Sequence, residues 1–300
     1  MPVHDDLGMR MKSYENKSKT YLNKKEPVIL RIDGKAFHTF TKGFKRPFDD
    51  ILIKSMQDTA KYLCENIQGC VLSYQQSDEI TLVLVDYKNP NSSAWFDYKV
   101  QKCTSIAASM ATMAFNKAFN KWATMEIGCL EHKNINGTNM STEDFLDKVH
   151  QKRDLIKTYR NAIEKGAMFD ARVFNLSKDE VTNCLYWRQL DAIRNSIQMV
   201  GQANFSHKEL QNKSCEDIKN MLIEQKNIDW SSLPLYQQRG SCCIKKTYEH
   251  QGWESLHDEK MGKVGEILCV TERTRWIIDK EIPLFKETGR EYVEKLINFE

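Results

Sequence analysis

Two aspartates at predicted strand ends are the residues in this sequence best suited to do chemistry. Asp33 follows the nearly continuous apolar run 27–32 and precedes Gly34, and Asp78 lies in the polar segment 75–79 between two runs of β-forming residues. Two converging carboxylates suit a hard divalent cation such as Mg²⁺, which keeps its remaining positions for water or phosphate oxygens. Gly34 has no side chain and would let a triphosphate approach its amide. Taken singly, each segment is also ordinary turn sequence, so the prediction of a phosphate-transfer site depends on the fold.

The order of the elements predicts that fold. After the first strand, Asp49 and Asp50 can cap a helix that Gly69 closes, and strands follow at 70–74 and 80–85, a helix at 95–122 and a strand at 172–176. This order is the β-α-β-β-α-β plan. We therefore expect an α+β fold whose palm-like antiparallel sheet carries helices on one face and leaves the other open for substrate. In that topology the first strand neighbours the central hairpin, so Asp33 and Asp78 converge.

The rest of the chain predicts helices with one late strand. Helical patterns occupy 155–165 and 180–199, a polar candidate loop lies at 134–141, and strand character returns at 275–278. We expect a palm-like catalytic core over residues 1–200. Residues 201–300 are expected to form a helical/β extension, with a largely helical C-terminal region, that packs on the core as one continuous unit.

Composition restricts the partners and the compartment. The 300 residues are 41% hydrophobic and 28% charged, with a formal net charge of +3, which is typical of a globular protein and not of a polycation that coats nucleic acid. RNA contacts must then come from local clusters of Lys and Arg. The nine cysteines are odd in number and scattered, which disfavours a disulfide framework, and neither a secretory signal nor a membrane span is visible. We expect a soluble cytoplasmic protein with no membrane partner.

Several motifs resemble those of one family. The segments Arg31–His38 and Gln76–Glu79 are similar to the two signature segments of the tRNA-His guanylyltransferase family. They are most similar to its bacterial and archaeal-type guanylyltransferase-like members, the 3′-to-5′ RNA polymerases. The resemblance continues in order through residues 169–174, 187–191, 198–207 and 239–243, so it covers most of the chain.

The resemblance implies a palm fold and the addition of nucleotides to the 5′ end of tRNA in the 3′-to-5′ direction. In the family, a 5′-monophosphate is first activated with ATP or GTP, and the 3′-hydroxyl of the incoming nucleotide then attacks. Two Mg²⁺ ions act as cofactors, GTP and ATP are substrates, and tRNA is the partner. The family also implies a homotetramer.

Matching motifs further imply the residues of the site. Asp33, Asp78 and the carbonyl of Gly34 would hold the metal ions, with Glu79 as a supporting catalytic acid. The nucleotide would be bound by Gly34, Lys35, Ala36, Phe37, His38, Ser77, Lys99 and Lys102. The RNA would be bound by Arg46, Arg172, Asp191, Asn195 and Arg239.

One motif departs from the family pattern. After Trp-Arg-Gln-x-Asp, eukaryotic members read Cys-His-Ile-Asn-Asn, whereas this chain has the segment Ala192–Ser196 with Ile193 in place of the histidine. That helix is tied to non-templated addition of guanosine to tRNA-His, so we expect template-dependent repair of tRNA 5′ ends instead. The alternatives are non-templated guanosine addition to tRNA-His, a nucleotide cyclase or forward polymerase, and a catalytically silent tRNA-binding module. The intact carboxylates disfavour the silent module.

Overall fold

One antiparallel sheet organises the protein, seen in a computed structural model that describes residues 6–132, 141–258 and 262–298. The strands are β1 Val28–Gly34, β2 Cys70–Gln76, β3 Glu79–Leu84, β4 Phe169–Asn175, β5 Ser241–Asp258 and β6 Gly262–Asp279. Their order in the sheet is β4-β1-β3-β2-β5-β6, and each neighbouring pair is antiparallel.

Helices connect and cover these strands. Asp49 caps the helix that begins at Asp50, as the sequence predicts. Its carboxylate accepts hydrogen bonds from the N–H groups of Ile51 and Leu52 at 3.0 Å each. Short 3₁₀ turns lie at Trp95–Tyr98, Trp230–Ser232 and Glu287–Arg290. The α-helices are α1 Asp6–Asn16, α2 Phe37–Phe40, α3 Asp50–Asn66, α4 Val100–His132, α5 Thr142–Lys165, α6 Lys178–Asn204, α7 His207–Leu210, α8 Cys215–Lys226, α9 Leu235–Arg239 and α10 Glu291–Ile297.

The sheet order β4-β1-β3-β2 confirms the predicted α+β core. The first crossover is α3, and the second contains α4 followed by α5. Helix bounds differ from the predicted ones: the helix expected at 95–122 occupies 100–132, the one expected from 155 begins at 142, and the one expected at 180–199 occupies 178–204. The candidate loop at 134–141 falls outside the described residues, apart from Ser141, which caps α5.

Alternating residues of β1 divide the core into two layers. Val28, Leu30 and Ile32 are fully buried in the layer that contains α3 and α4. Ile29 is equally buried on the opposite face, in a cluster with α6 and the segment 282–297. The sequence predicts that the sheet face without α3 and α4 stays open for substrate. Helix α6 crosses this face and covers its apolar part.

The C-terminal region contains more strand than the sequence predicted. The late strand expected at 275–278 is the end of β6, and β5 and β6 are each 18 residues long. Residues 241–244 of β5 pair with residues 72–75 of β2, so the extension shares the sheet of the core. In the described pairings, the remainder of β5 pairs with β6 and forms a two-stranded ribbon. Among the described helices, none combines the length and the hydropathy needed to span a membrane.

Candidate active site

The ends of β1 and β3 bring the two predicted metal ligands to one edge of the sheet. Asp33 stands opposite Glu79, the residue that follows Asp78 in the chain. The Gly34 N–H donates to the carbonyl of Asp78 at 3.1 Å, which ties the end of β1 to the β2–β3 turn. The two aspartates therefore lie together, whereas their role as metal ligands stays a prediction.

The two carboxylates are close enough to repel each other. Burial, followed by the negative charge of Asp33, raises the pKa of Asp78 to about 6. Burial and Asp170 likewise raise the pKa of Asp33, although Arg172 and Arg31 oppose that shift. No Lys or Arg in the described ranges forms an ion pair with Asp33 or Asp78. A divalent cation would offset this repulsion, so the pair fits Mg²⁺.

The fit to Mg²⁺ rests on few protein ligands. Within the residues that the structure describes, no three His, Cys, Asp or Glu side chains are arranged to hold a metal ion. The ligands available at the site are the carboxylates of Asp33 and Asp78, with the carbonyl of Gly34 as the predicted third. Mg²⁺ commonly takes one or two carboxylates and fills its other positions with water and substrate phosphates. The set therefore suits Mg²⁺ that is bound together with a nucleotide.

Magnesium binding is expected to weaken as the pH falls through about 6. Because the pKa of Asp78 is raised to about 6, its carboxyl is protonated below that pH, and the proton competes with the cation. We expect the apparent dissociation constant for Mg²⁺, measured by calorimetry, to rise about tenfold from pH 7 to pH 5. Asp78→Asn should bind weakly at both pH values. A wild-type affinity that is constant over this range would contradict the assignment.

A cleft of about 570 Å³ opens beside Asp78. Three basic side chains of the connector after α2, Lys42, Lys45 and Arg46, line it. Arg46 was predicted from the motif, whereas Lys42 and Lys45 were not, although the basic character of the connector was visible in the sequence. Other predicted residues on the cleft wall are Gly34, Ala36, Phe37, His38 and Ser77.

Packing against the core shapes the turn after β1. The Phe37 side chain is 5% exposed, and its ring packs on Phe40, Phe115 and Phe169 with centroids 5.2 to 5.4 Å apart. The ring is therefore a core group under the cleft, and the prediction that Phe37 lines the nucleotide stays a prediction. A Cβ on Gly34 would lie 2.2 Å from this ring. Glycine is needed there for close packing, and the approach of a triphosphate to Gly34 stays a prediction.

Lys35 points away from the cleft formed by its neighbours. It is exposed and does not line the cleft, although the next residues do. Its N–H donates to the carbonyl of Met168 at 2.8 Å, so this amide is not available to a phosphate. Ala36 then adopts a left-handed conformation with φ of 53°, which reverses the chain toward the cleft. The predicted contact of the exposed Lys35 side chain with the nucleotide stays a prediction.

Lys99 and Lys102 lie at the far end of the sheet. Lys99 pairs with Tyr21, which precedes β1, and the Lys102 ammonium lies 4.5 Å from the centre of the Phe96 ring. The part of α4 near the site is Phe115, which contacts the ring of Phe37. Lys102 and Phe115 are thirteen positions apart on the helix, about 20 Å at the helical rise. Within one chain these lysines therefore lie away from the aspartate pair, and their contact with a second triphosphate or the RNA 5′ end stays a prediction.

A buried ion pair joins the first residue of β3 to α6. The Arg188 guanidinium donates to both oxygens of Glu79, at 2.7 and 2.8 Å, and also to Asp191 at 2.9 Å. Asp191 accepts a further bond from Arg194. Glu79 is therefore a buried carboxylate paired with Arg188, and Asp191 is held by two arginines of α6. The roles predicted for Glu79 as a supporting acid and for Asp191 in RNA binding stay predictions.

The other predicted RNA-binding residues differ in accessibility. Arg172 is exposed on β4 and pairs with Asp170 at 3.2 Å, so it remains open to a ligand. Asn195 lines a small pocket with Ser77, next to the cleft. Arg239 is half-buried and donates to the carbonyl of Ile282 at 3.0 Å, and burial lowers the pKa of its guanidinium. Arg239 therefore contacts the C-terminal segment, and its predicted RNA contact stays a prediction.

Known proteins share both the sequence and this architecture. The profile of the tRNA-His guanylyltransferase family matches residues 8–177, more than half of the chain. A solved bacterial tRNA(His) guanylyltransferase-like protein in complex with ATP is 36% identical with a TM-score of 0.72, and the match covers 98% of this chain and 100% of that one. The structure of such a protein in complex with GTP is 34% identical with a TM-score of 0.69, over 98% of this chain and 99% of the other.

A curated relative extends the match to eukaryotes. A probable tRNA(His) guanylyltransferase of Dictyostelium discoideum is 24% identical over 270 residues, which are 85% of this chain and 89% of the relative. The resemblance seen in the motifs is thereby confirmed over nearly the whole length. The chain belongs to the tRNA-His guanylyltransferase family and is a nucleotidyltransferase.

Proposed function

We propose that the chain adds nucleotides to the 5′ end of tRNA in the 3′-to-5′ direction, with Mg²⁺ as cofactor and the opposite strand as template. The observation that carries the proposal is that Asp33 and Asp78 lie together, with Asp78 on the wall of a cleft that Lys42, Lys45 and Arg46 also line. Solved relatives in complex with ATP and with GTP support a nucleoside triphosphate as the occupant of that cleft.

The residues of the site divide into those that hold metal and those that hold phosphate. Asp33, Asp78 and the Gly34 carbonyl would hold two Mg²⁺ ions, which supply activation of the attacking hydroxyl and neutralisation of the leaving group. Lys42 and Arg46 on the cleft wall bind the triphosphate, since cationic side chains form strong hydrogen bonds with phosphate oxygens.

The proposed reaction consists of two phosphoryl transfers. In the first, a 5′-monophosphate oxygen of the RNA attacks the α-phosphorus of ATP or GTP, forms a 5′-5′ phosphoanhydride and releases pyrophosphate. In the second, the 3′-hydroxyl of the incoming nucleotide attacks the 5′-phosphorus of the RNA, loses its proton to solvent and releases the nucleoside monophosphate. Asp33 and Asp78 act as carboxylates in both steps, because their anionic forms would hold the Mg²⁺ ions, which would offset the negative charge of the transition state.

Ile193 supports the templated form of the reaction. It occupies the place of the histidine in the family motif and is half-buried against the apolar cluster of α6 and α8 that contains Ile197 and Val200. An isoleucine there offers no hydrogen bond to a nucleotide. Selection of the incoming base is therefore assigned to pairing with the RNA strand opposite.

The test uses labelled, 5′-triphosphorylated tRNA that lacks its first nucleotide and so needs no activation by ATP or GTP, with Mg²⁺ and each nucleoside triphosphate supplied alone. We expect addition of the nucleotide complementary to the opposite base, and a change of that base should change the nucleotide that is added. Guanosine addition regardless of the opposite base, or formation of a cyclic nucleotide without tRNA, would overturn the proposal. Asp78→Asn is the inactive control.

A further inference from the structure

One exposed aromatic ring beside the site has no part in the function proposed above. Trp187 of α6 keeps 55% of its surface exposed. Two guanidinium groups lie over its ring, Arg188 at 4.5 Å and Arg31 at 5.7 Å from the centroid. Such cation–π contacts hold an aromatic ring in one orientation. The indole is therefore fixed by its neighbours while more than half of its surface is open to a ligand.

Arg31 and Arg188 connect the Trp187 ring to the strand ends near Asp33. Arg31 and Asp33 are two positions apart on β1 and so share one face of the sheet, about 7 Å from each other. Arg188 holds both oxygens of Glu79, and Glu79 stands opposite Asp33. Trp187 therefore lies beside Arg31, on the sheet face that also carries Asp33. Arg31 and Glu79 do not line the cleft that contains Asp78.

Two arginines near the ring retain capacity to bind an anion. The Nε atom of Arg31 is buried and has no hydrogen-bond partner, and a buried donor left unpaired costs free energy. Arg172 stands opposite Arg31 on β4, and its side chain is 51% exposed. A phosphate oxygen is the acceptor that guanidinium groups bind most readily in two-point geometry. The face thus combines an open aromatic surface with donors for phosphate.

We propose that Trp187 stacks against the 5′-terminal base of the RNA, while Arg31 and Arg172 bind its phosphates. The proposal rests on the proposed function, since it places the RNA end on one side of Asp33 and the incoming nucleotide in the cleft on the other. An aromatic ring stacks on any base, so this contact holds an end without selecting its sequence. That property suits an enzyme whose selectivity comes from template pairing.

The experiment measures RNA binding without any nucleoside triphosphate. The probe is an acceptor-stem hairpin with a 5′-monophosphate and 2-aminopurine as its first base. We expect Trp187→Ala to weaken binding by about five- to a hundredfold, the range of one lost stacking contact, and Trp187→Phe to retain most of it. The matched control is Trp253→Ala, which removes another exposed tryptophan, 69% exposed on the β5–β6 ribbon, and should bind as the wild type does.

Two further readouts separate stacking from a structural role. The 2-aminopurine fluorescence should be quenched by wild type and by Trp187→Phe, and not by Trp187→Ala. In the addition assay, Trp187→Ala should raise KM for RNA and leave KM for the nucleotide unchanged. Equal RNA affinity of Trp187→Ala and wild type would overturn the proposal. So would a change in native mass with unchanged RNA affinity, since the ring would then belong to a contact between subunits.

The outcomes distinguish this proposal from the proposed function. If wild type adds no nucleotide and Trp187→Ala still weakens hairpin binding, the stacking surface stands and the proposed function fails. If wild type extends the tRNA and the hairpin binds both proteins equally, the proposed function stands and the stacking surface fails.

Discussion

Replacing Asp33 or Asp78 by alanine is expected to lower the rate of nucleotide addition by at least about a thousandfold. Each carboxylate would hold metal that stabilises charge in the transition state, and several kcal/mol of that stabilisation depend on it. The affinity for tRNA should change little, because both variants keep the side chains proposed to bind the RNA, Trp187, Arg31 and Arg172. Single-turnover rates on truncated tRNA and binding titrations of the same RNA measure the two effects. Full activity in either variant would rule out the metal role.

The stability of Asp78→Asn tests whether a loss of activity at this position reflects damage to the fold. The pKa of Asp78 is raised from 3.8 to about 6, so its charged form costs stability. That cost is absent below pH 3.8 and complete above about pH 6. At pH 7 without Mg²⁺, Asp78→Asn should therefore be more stable than wild type by about 1–3 kcal/mol in urea unfolding. A less stable variant would show that its loss of activity reflects damage to the fold.

Arg188→Met is expected to destabilise the protein by about 3–5 kcal/mol. The side chains of Arg188 and Glu79 are 10% and 8% exposed, so removing the arginine leaves a buried carboxylate without its counter-charge. Activity should fall as well, because Arg188 is one of the positive charges that lower the pKa of Asp33. Urea unfolding at pH 7 and the addition assay measure the two losses.

Two companion variants test whether the buried charge is the cause. The double variant Glu79→Gln with Arg188→Met removes both charges and should recover most of the lost stability. Arg194→Met removes a 61% exposed partner of Asp191 and should cost less than about 1 kcal/mol. If Arg188→Met is as stable as Arg194→Met, the Glu79–Arg188 pair does not hold α6 to the sheet.

The position of the aspartate pair was predictable because topology alone determines it. Once the β-α-β-β-α-β order is recognised, β1 and β3 must be neighbours, and the strand ends that carry Asp33 and Asp78 must meet. The Asp49 cap was predictable for a similar reason, since capping depends on a few consecutive residues. Both predictions follow from local sequence and the order of the elements.

Side-chain direction was not predictable from a motif. Lys35 and Phe37 flank Ala36, whose left-handed conformation sends one outward and the other into the core. Lys99 and Lys102 lie on a helix whose position along the sheet is fixed by the packing of Phe115, which no motif records. The pairing of Glu79 with Arg188 depends on α6 crossing a sheet face that the sequence pattern left open.

The ribbon strands were missed for a different physical reason. Residues 245–250 include Lys245, Lys246, Glu249 and His250, so polar groups occupy both faces. A two-stranded ribbon outside the core has no buried face, and the alternation that identifies a strand is then absent. The strand was recognised only near Trp276, where one side chain returns to the core.

The pairing of β2 with β5 has a consequence for how the chain is made. Residues 72–75 pair with residues 241–244. During synthesis this edge of β2 therefore remains without a paired strand until most of the polypeptide has emerged from the ribosome. A fragment ending at residue 177, where the family profile ends, would contain both aspartates and yet expose Leu72 and Tyr74 beside an unpaired strand. Bare strand edges of this kind promote aggregation. The motif-bearing half is therefore not expected to remain soluble when expressed alone.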